Sequence, residues 1–300
     1  MIGALVYQSK NPCFNIIKSS YFRSAFSSIS MRESQFSPIG VFDSGVGGLT
    51  VLRELYRQLP QESILYFADT ARLPYGTRSK GEIIEFVREI LTWMSERRVK
   101  MVIMACNTSS ALALEEVRAE FKDLPILGVI LPGAKTAVEK GKRIGVISTP
   151  ATAKSNAYKQ AIQEIDPTAQ VWQIPCPEFV PLIEANRIFD PYTTQVAREY
   201  LQPLLAENID TLVYGCTHYR HLSPVLRRLL PSSVRLVDPA ASVVRAAEKE
   251  LELLGLKNPE TPLPTNFAVS GDPDTFARLS RQWLGFSPRV EKVYLPVPVL

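Results

Sequence analysis

The chain is expected to be an α/β protein of two similar halves, each a largely parallel sheet flanked by helices. Three observations carry this expectation. From Pro38 onward, short apolar strands alternate with helical patterns, the arrangement of parallel strands joined by crossover helices. The alternation runs in two series, the second starting near Ile144. Each series holds one buried-type strand that ends in a cysteine and a polar pair, Cys106-Asn107-Thr108 and Cys216-Thr217-His218.

In chain order, Ile39 to Phe42 reads as a strand and Leu49 to Leu59 as a helix, followed by a strand at Ile64 to Phe67. Glu82 to Arg98 places Ile83, Ile84, Val87, Ile90, Leu91 and Met94 on one helical face. Strand 101–105, helix 109–121 and strand 126–129 complete the first series. The second runs through strand 144–147, a helix near 154–165, strand 171–174, a helix near 191–206 and strand 211–215, with a helix-like stretch from Leu222 to Leu230. From Asn266 a short strand, the turn Ser270-Gly271-Asp272 and a helix from Pro273 to Leu284 form a tail. A strand that short needs an existing sheet to join, and the first half is the expected host. The halves share too little sequence to count as a repeat.

Composition narrows the function classes. Three hundred residues supply one large domain or two modest ones, and 46% apolar with 21% charged residues is ordinary for a globular protein. The net charge of +4 is no nucleic-acid signature. In residues 1–37, Lys10, Lys18, Arg23 and Arg32 against Glu33 account for +3 of it. No apolar run approaches the roughly 18 to 20 residues of a membrane helix, so neither nucleic acid nor membrane is expected as a partner. Four cysteines without a CxxC pair do not make a disulfide framework, and the only imidazoles are His218 and His221. No metal site is expected, and the thiols read as reduced, in a cytoplasmic-type compartment. The first thirty-odd residues are basic, Ser-rich and free of acids before Glu33. They read as a disordered tail or an over-long start with Met31 as initiator; a transit peptide is the competing reading.

Several strand-end loops can carry chemistry, because ligands of open α/β sheets bind outside the carboxyl ends of the strands. Asp43-Ser44-Gly45-Val46-Gly47-Gly48 is either a carboxylate-binding turn with Asp43 in a cleft or a helix cap made by Asp43 or Ser44. In Asp69 to Gly76, Tyr75 either packs its ring or joins the Gly76 amide as a donor to a carboxylate. Thr149 and Thr152 are caps or ligand contacts. A lone strand-end cysteine is more often a small buried hydrophobe than a catalyst. Here, however, two thiols stand at equivalent places near helix N-termini, where ionisation is favoured, and His218 lies two positions beyond Cys216. Two such thiols facing one substrate from opposite sides suit the movement of a proton from one face of a carbon to the other. Cys176, between two prolines, reads as packing and His221 as a surface or capping residue. Glu184 either faces a cleft or ends a solvated helix.

Together these stretches resemble the cofactor-independent aspartate/glutamate racemase family. The resemblance rests on IGVFDSGVGGLTVL (39–52), YFADTARLPYG (66–76), ACNTSSA (105–111), residues 146–152, CPEFVPLIE (176–184) and VYGCTH (213–218), in order along the chain. It implies interconversion of L- and D-glutamate, supplying D-glutamate for peptidoglycan, with no cofactor. It implies that Cys106 and Cys216 are the acid/base thiols, Cys106 acting on the D-isomer and Cys216 on the L-isomer. Asp43, Glu184 and His218 would assist. Asp43, Ser44, Tyr75, Gly76, Asn107, Thr108, Thr149 and Thr217 would hold the substrate. It further implies two domains, 38–130 with 238–300 and 131–237, a cleft between them holding the active site, and an extension at 1–37. A homodimer is one of the associations it allows. Readings left open beside it are a racemase of aspartate or a related acid, a non-catalytic binder of small acids, and a cysteine hydrolase, which would need only one thiol.

Overall fold

The computed structural model describes residues 34–295; Cys13 and the rest of the basic N-terminal segment lie outside them. The first stretch gives β1 (Ile39–Asp43), α1 (Leu49–Gln58), β2 (Ile64–Ala68), α2 (Lys80–Glu96), β3 (Met101–Met104), α3 (Asn107–Leu112), α4 (Leu114–Glu120) and β4 (Ile126–Gly128). After α5 (Ile130–Lys140) come β5 (Arg143–Ser148), α6 (Pro150–Ser155), α7 (Ala157–Ile165), β6 (Gln170–Pro175), α8 (Phe179–Glu184), α9 (Pro191–Ala206), β7 (Thr211–Gly215), α10 (Ser223–Leu229) and β8 (Arg235–Val237). The chain ends with α11 (Pro239–Leu254), β9 (Asn266–Val269), α12 (Pro273–Leu284) and β10 (Val290–Lys292).

Every strand pairing is parallel, as the alternation predicts. The strands form two sheets, one in the order β10-β9-β2-β1-β3-β4 and the other β6-β5-β7-β8. Residues of β1, β2 and β3 are buried throughout, because helices cover both faces and leave no side for water. One apolar core joins α1, α11 and α12 to the first sheet and continues into the second; a separate core lies under α2 on the first sheet's other face. Ile83, Val87, Ile90, Leu91 and Met94 of α2 are buried there, while Ile84 is half-buried. Each such side chain contributes roughly 1.5–3 kcal/mol. Ser79 starts this helix with a capping box: its hydroxyl accepts the Glu82 amide, and the Glu82 carboxylate accepts the Ser79 amide at 2.9 Å.

Two predicted helices are each divided in two. The 109–121 stretch begins two residues earlier, directly after Cys106, and breaks at Ala113, whose φ of −124° departs from the helical value. The 154–165 stretch breaks at Asn156, in the left-handed region at φ 57°, a conformation that Asn tolerates better than most residues. The Leu222–Leu230 stretch is likewise the end of a 3-10 segment, Thr217–Leu222, running into α10.

Topology places the chemistry. In the first sheet the chain leaves β1 for β2 on one side and for β3 on the other; in the second, β5 lies between β6 and β7. Each such reversal opens a crevice at the carboxyl ends of the flanking strands. Asp43 ends β1 and Cys106 follows β3, while Ser148 ends β5 and Cys216 follows β7. Both thiols therefore stand at a switch point, one per sheet.

Candidate active site

On the first sheet, Asp43 is fully buried, and its Oδ1 accepts the Gly45 amide at 2.9 Å. The Tyr66 hydroxyl donates to the Gly45 carbonyl at 3.0 Å and fixes the same turn. Neither Asp43 nor Ser44 caps α1, whose cap position is Gly48 with no side-chain bond. Of the two sequence readings for this turn, the helix cap is thus removed. Burial raises the Asp43 carboxyl above its ordinary range, against the lowering effects of the His218 charge and of bonds from Gly45, Gly48 and Thr217. Ser44 is buried beside it, its hydroxyl without a partner among the described residues.

Cys106 occupies the N-cap position of α3 and is 6% exposed. Burial pushes its thiol up to about 12, with the charges of Asp43 and Cys216 acting in the same direction and the Ser109 and Thr108 amides opposing. The expectation that a helix N-terminus eases its ionisation is therefore reversed: loss of water outweighs two amide dipoles. In this state Cys106 holds its proton at neutral pH.

Cys216, 7% exposed, has a different neighbourhood. Its Sγ lies 3.7 Å from His218 Nδ1, and His218 Nε2 lies 3.2 Å from Glu184 Oε1. Burial alone would lower the His218 pKa; the bonds to Cys216 and Glu184, with the charges of Cys216 and Asp43, carry it up to about 10. At neutral pH the ring is an imidazolium between a sulfur and a carboxylate. Glu184 is the last residue of α8 and its side chain is partly open, so it meets both the cleft and water.

Four contacts bring the sheets together here. Thr217 Oγ1 donates to Asp43 Oδ2 at 3.3 Å. The hydroxyl of Thr108 lies 3.0 Å from that of Thr149 and 3.2 Å from that of Thr152, the former also capping α6. The Tyr158 hydroxyl donates to Asn107 Oδ1 at 2.6 Å. Finally, Gly47 lies against the Cys216 turn, while Gly48 lies against Asp43 of its own sheet. A Cβ at Gly47 would stand 2.3 Å from Thr217 Oγ1 and 2.5 Å from His218 Nδ1; one at Gly48 would stand 2.5 Å from the Asp43 Cβ. Only glycine permits that approach.

The remaining sequence candidates divide. Gly76 packs against Thr149, at the same junction. The buried Tyr75 packs its ring against Phe86 and gives its hydroxyl to Asp69, so that hydroxyl is engaged within the protein. Asp69 in turn accepts Arg72 at 2.7 Å and Ser270 at 2.7 Å, so this loop is tied to the tail. Cys176 is packing, its sulfur buried. His221 is half-buried against Trp283 rather than at the surface, and burial lowers its pKa to about 3. Tyr66 and Tyr158 escape sequence reasoning altogether: each acts through a hydroxyl whose partner is distant in the chain. A cavity of about 250 Å³ adjoins the site, lined by Gly45, Val46, Leu73, Glu184, Phe276 and Leu279 among others. Neither thiol lines it.

Comparison with known proteins gives a consistent result. Residues 39–247 match the Asp/Glu/Hydantoin racemase family. Glutamate racemase of Microcystis aeruginosa (strain NIES-843 / IAM M-2473) is 98% identical over 265 residues, covering 88% of this chain and 94% of that protein. Among solved structures, glutamate racemase isoform RacE1 from Bacillus anthracis superposes with a TM-score of 0.84 at 38% identity, covering 88% of this chain and 99% of its own. Glutamate racemase from Francisella tularensis subsp. tularensis SCHU S4, in complex with D-glutamate, does so with a TM-score of 0.82 at 36% identity, covering 86% and 98%.

Proposed function

The chain belongs to the Asp/Glu/hydantoin racemase family and racemises glutamate, and on that premise we propose that Cys106 and Cys216 carry its two proton transfers. The observation that supports this most is the placement of one buried thiol at the switch point of each sheet, with hydrogen bonds crossing between the sheets around them.

The surroundings of the two thiols differ, and the roles follow from them. For L-glutamate, Cys216, beside the His218 ring, is the base, and Cys106, which holds its proton, is the acid. Cys216 as thiolate takes the α-proton of L-glutamate, leaving its electron pair on the α-carbon. That carbon then takes the Cys106 proton on its other face, giving D-glutamate, a Cys216 thiol and a Cys106 thiolate. Exchange of protons with solvent resets the pair; the D-isomer reacts by the reverse path. A carbanion next to a carboxylate demands preorganised donors and exclusion of water. Ser44, Asn107, Thr108, Thr149 and the backbone amides of 75–76 and Thr217 are the donors for the substrate's charged groups in this reading, the Thr217 hydroxyl being given to Asp43. Asp43, His218 and Glu184 assist the thiols by charge and hydrogen bonding.

The same reading divides the chain into domains 38–130 with 238–300 and 131–237, with the substrate between them. Support comes from the membership of the sheets: β9 and β10 rejoin the first after the whole of the second. Because the thiols are buried, substrate reaches them when the two sheets part. Free thiols at the three described cysteines fit a reducing, cytoplasmic setting, where the D-glutamate would feed peptidoglycan synthesis.

The test is incubation of the purified protein with L-glutamate in deuterated water, without added cofactor. Loss of optical rotation with deuterium at the α-position is the expected result. Absence of exchange with either isomer overturns the proposal.

A further inference from the structure

Tyr158 lies on α7, fully buried, and takes no part in the roles assigned above. Its ring sits where the chain passes between the sheets: a Cβ at Gly133 of α5 would stand 3.4 Å from Tyr158 Cε1 and 3.0 Å from Pro239 Cγ. From this anchored position its hydroxyl reaches the first sheet's side of the site and donates to Asn107 Oδ1. Asn107 directly follows Cys106 and is 3% exposed.

We infer that Tyr158 is a positioning residue, which holds the Asn107 carboxamide so that its NH2 group, and not its carbonyl, faces the substrate. The inference rests on the reading that Asn107 contacts the substrate's carboxylate. A carboxamide has a donor end and an acceptor end of nearly equal size, and only the donor end attracts a carboxylate. A bond to Oδ1 selects one of the two orientations. Asn107 Nδ2 has no partner among the described residues and is not among their fully sealed, unpaired atoms. The donor is therefore free and reachable. Burial, with the charges of Asp238 and Cys216, holds the Tyr158 phenol well above its ordinary range, so its proton stays available for this bond. Because the ring is fully buried beside Gly133, it presents its hydroxyl to the amide from a fixed place.

The test is a double-mutant cycle with Tyr158→Phe, which keeps the ring, and Asn107→Ala. The kcat and KM are measured in both directions, with thermal midpoints recorded alongside. L- and D-glutamate have equal free energy, so kcat/KM must fall by the same factor in each direction. Tyr158→Phe is expected to lower it by about three- to tenfold, chiefly through KM, the scale of one hydrogen bond. In the Asn107→Ala background the same change is expected to cost nothing further. Unchanged kinetics for Tyr158→Phe beside an impaired Asn107→Ala overturns the positioning role, and so does an equal loss in both backgrounds. An unimpaired Asn107→Ala overturns the substrate-contact reading itself, and the inference with it. Should Tyr158→Phe fail to fold, the wild-type protein labelled with 15N-asparagine provides the answer. Asn107 carboxamide protons that shift on adding D-glutamate support the inference; an unresponsive amide overturns it.

Discussion

Asp43 and Thr217 are joined by a 3.3 Å hydrogen bond across 174 residues of chain, the carboxylate at the end of β1 and the hydroxyl next to Cys216. This bond links the environment of one thiol to the backbone of the other. Thr217→Val keeps the shape and removes the donor. It is expected to lower kcat/KM by about tenfold or less while the thermal midpoint moves by only a few degrees, because one partly buried hydrogen bond is worth about 1 kcal/mol. Steady-state kinetics with either isomer and a thermal melt check this.

The division of labour between the thiols is separable. Cys106→Ser and Cys216→Ser should each abolish racemisation. A single remaining base can still remove a proton and return a solvent-derived one to the same face. Cys106→Ser should therefore exchange the α-proton of L-glutamate slowly for deuterium with retention, and Cys216→Ser that of D-glutamate. NMR of each isomer in deuterated water decides. Near-normal turnover in either variant defeats the two-base mechanism.

Alkaline pH should act through His218. With its pKa raised from 6.5 to about 10, kcat/KM is expected to fall as pH rises through about 10, where the imidazolium beside Cys216 is lost. Glu184→Gln removes one of the groups that raise this pKa, so the alkaline limb should move to lower pH. The profiles for the two isomers must superimpose in kcat/KM, whatever the difference in their separate kcat values.

Stability should follow the same group. A raised folded-state pKa means a contribution that is complete below pH 6.5 and lost as pH rises through about 10. Cys106, raised from 9.0 to about 12, adds a second loss beginning above pH 9. The thermal midpoint is expected to decline steadily from neutral pH upward, and less steeply in His218→Gln. Melts in buffers from pH 6 to 10 measure it.

Gly47→Ala would drive a methyl group into Thr217 and His218. The expected result is activity reduced by at least tenfold, because the Cys216 turn must retreat from Asp43, with the overall fold retained by circular dichroism. Gly81→Ala, where a Cβ meets nothing within 4 Å, is the control that should leave both activity and stability intact.

The sheets and their polar strand-end turns were legible because their signals are local. Val102-Ile103-Met104 can only be a buried run, and Gly47-Gly48 beside Asp43 announces a close approach before any partner is known. What the sequence hides is the identity of that partner. Nothing near Tyr158 points to Asn107, since the bond depends on how two sheets are mounted on each other. The ionisation of Cys106 is hidden for a related reason: proximity to a helix start is visible in sequence, whereas near-complete burial is not. Helix α5 carries Pro132 and Gly133 near its start, where proline is tolerated in the first turn, so its sequence gives no clear helical signal.

The late return of β9 to the edge of β2 has a consequence for biosynthesis. Between Gly128 and Asn266 the ribosome must add the whole second sheet, on the order of 10 s of elongation. Throughout that interval β2 presents a bare edge of unpaired peptide groups, the kind of template on which nascent chains aggregate. Cys216 emerges well before that edge is covered. A newly made chain thus possesses both sulfurs while the sheet carrying one of them is still incomplete.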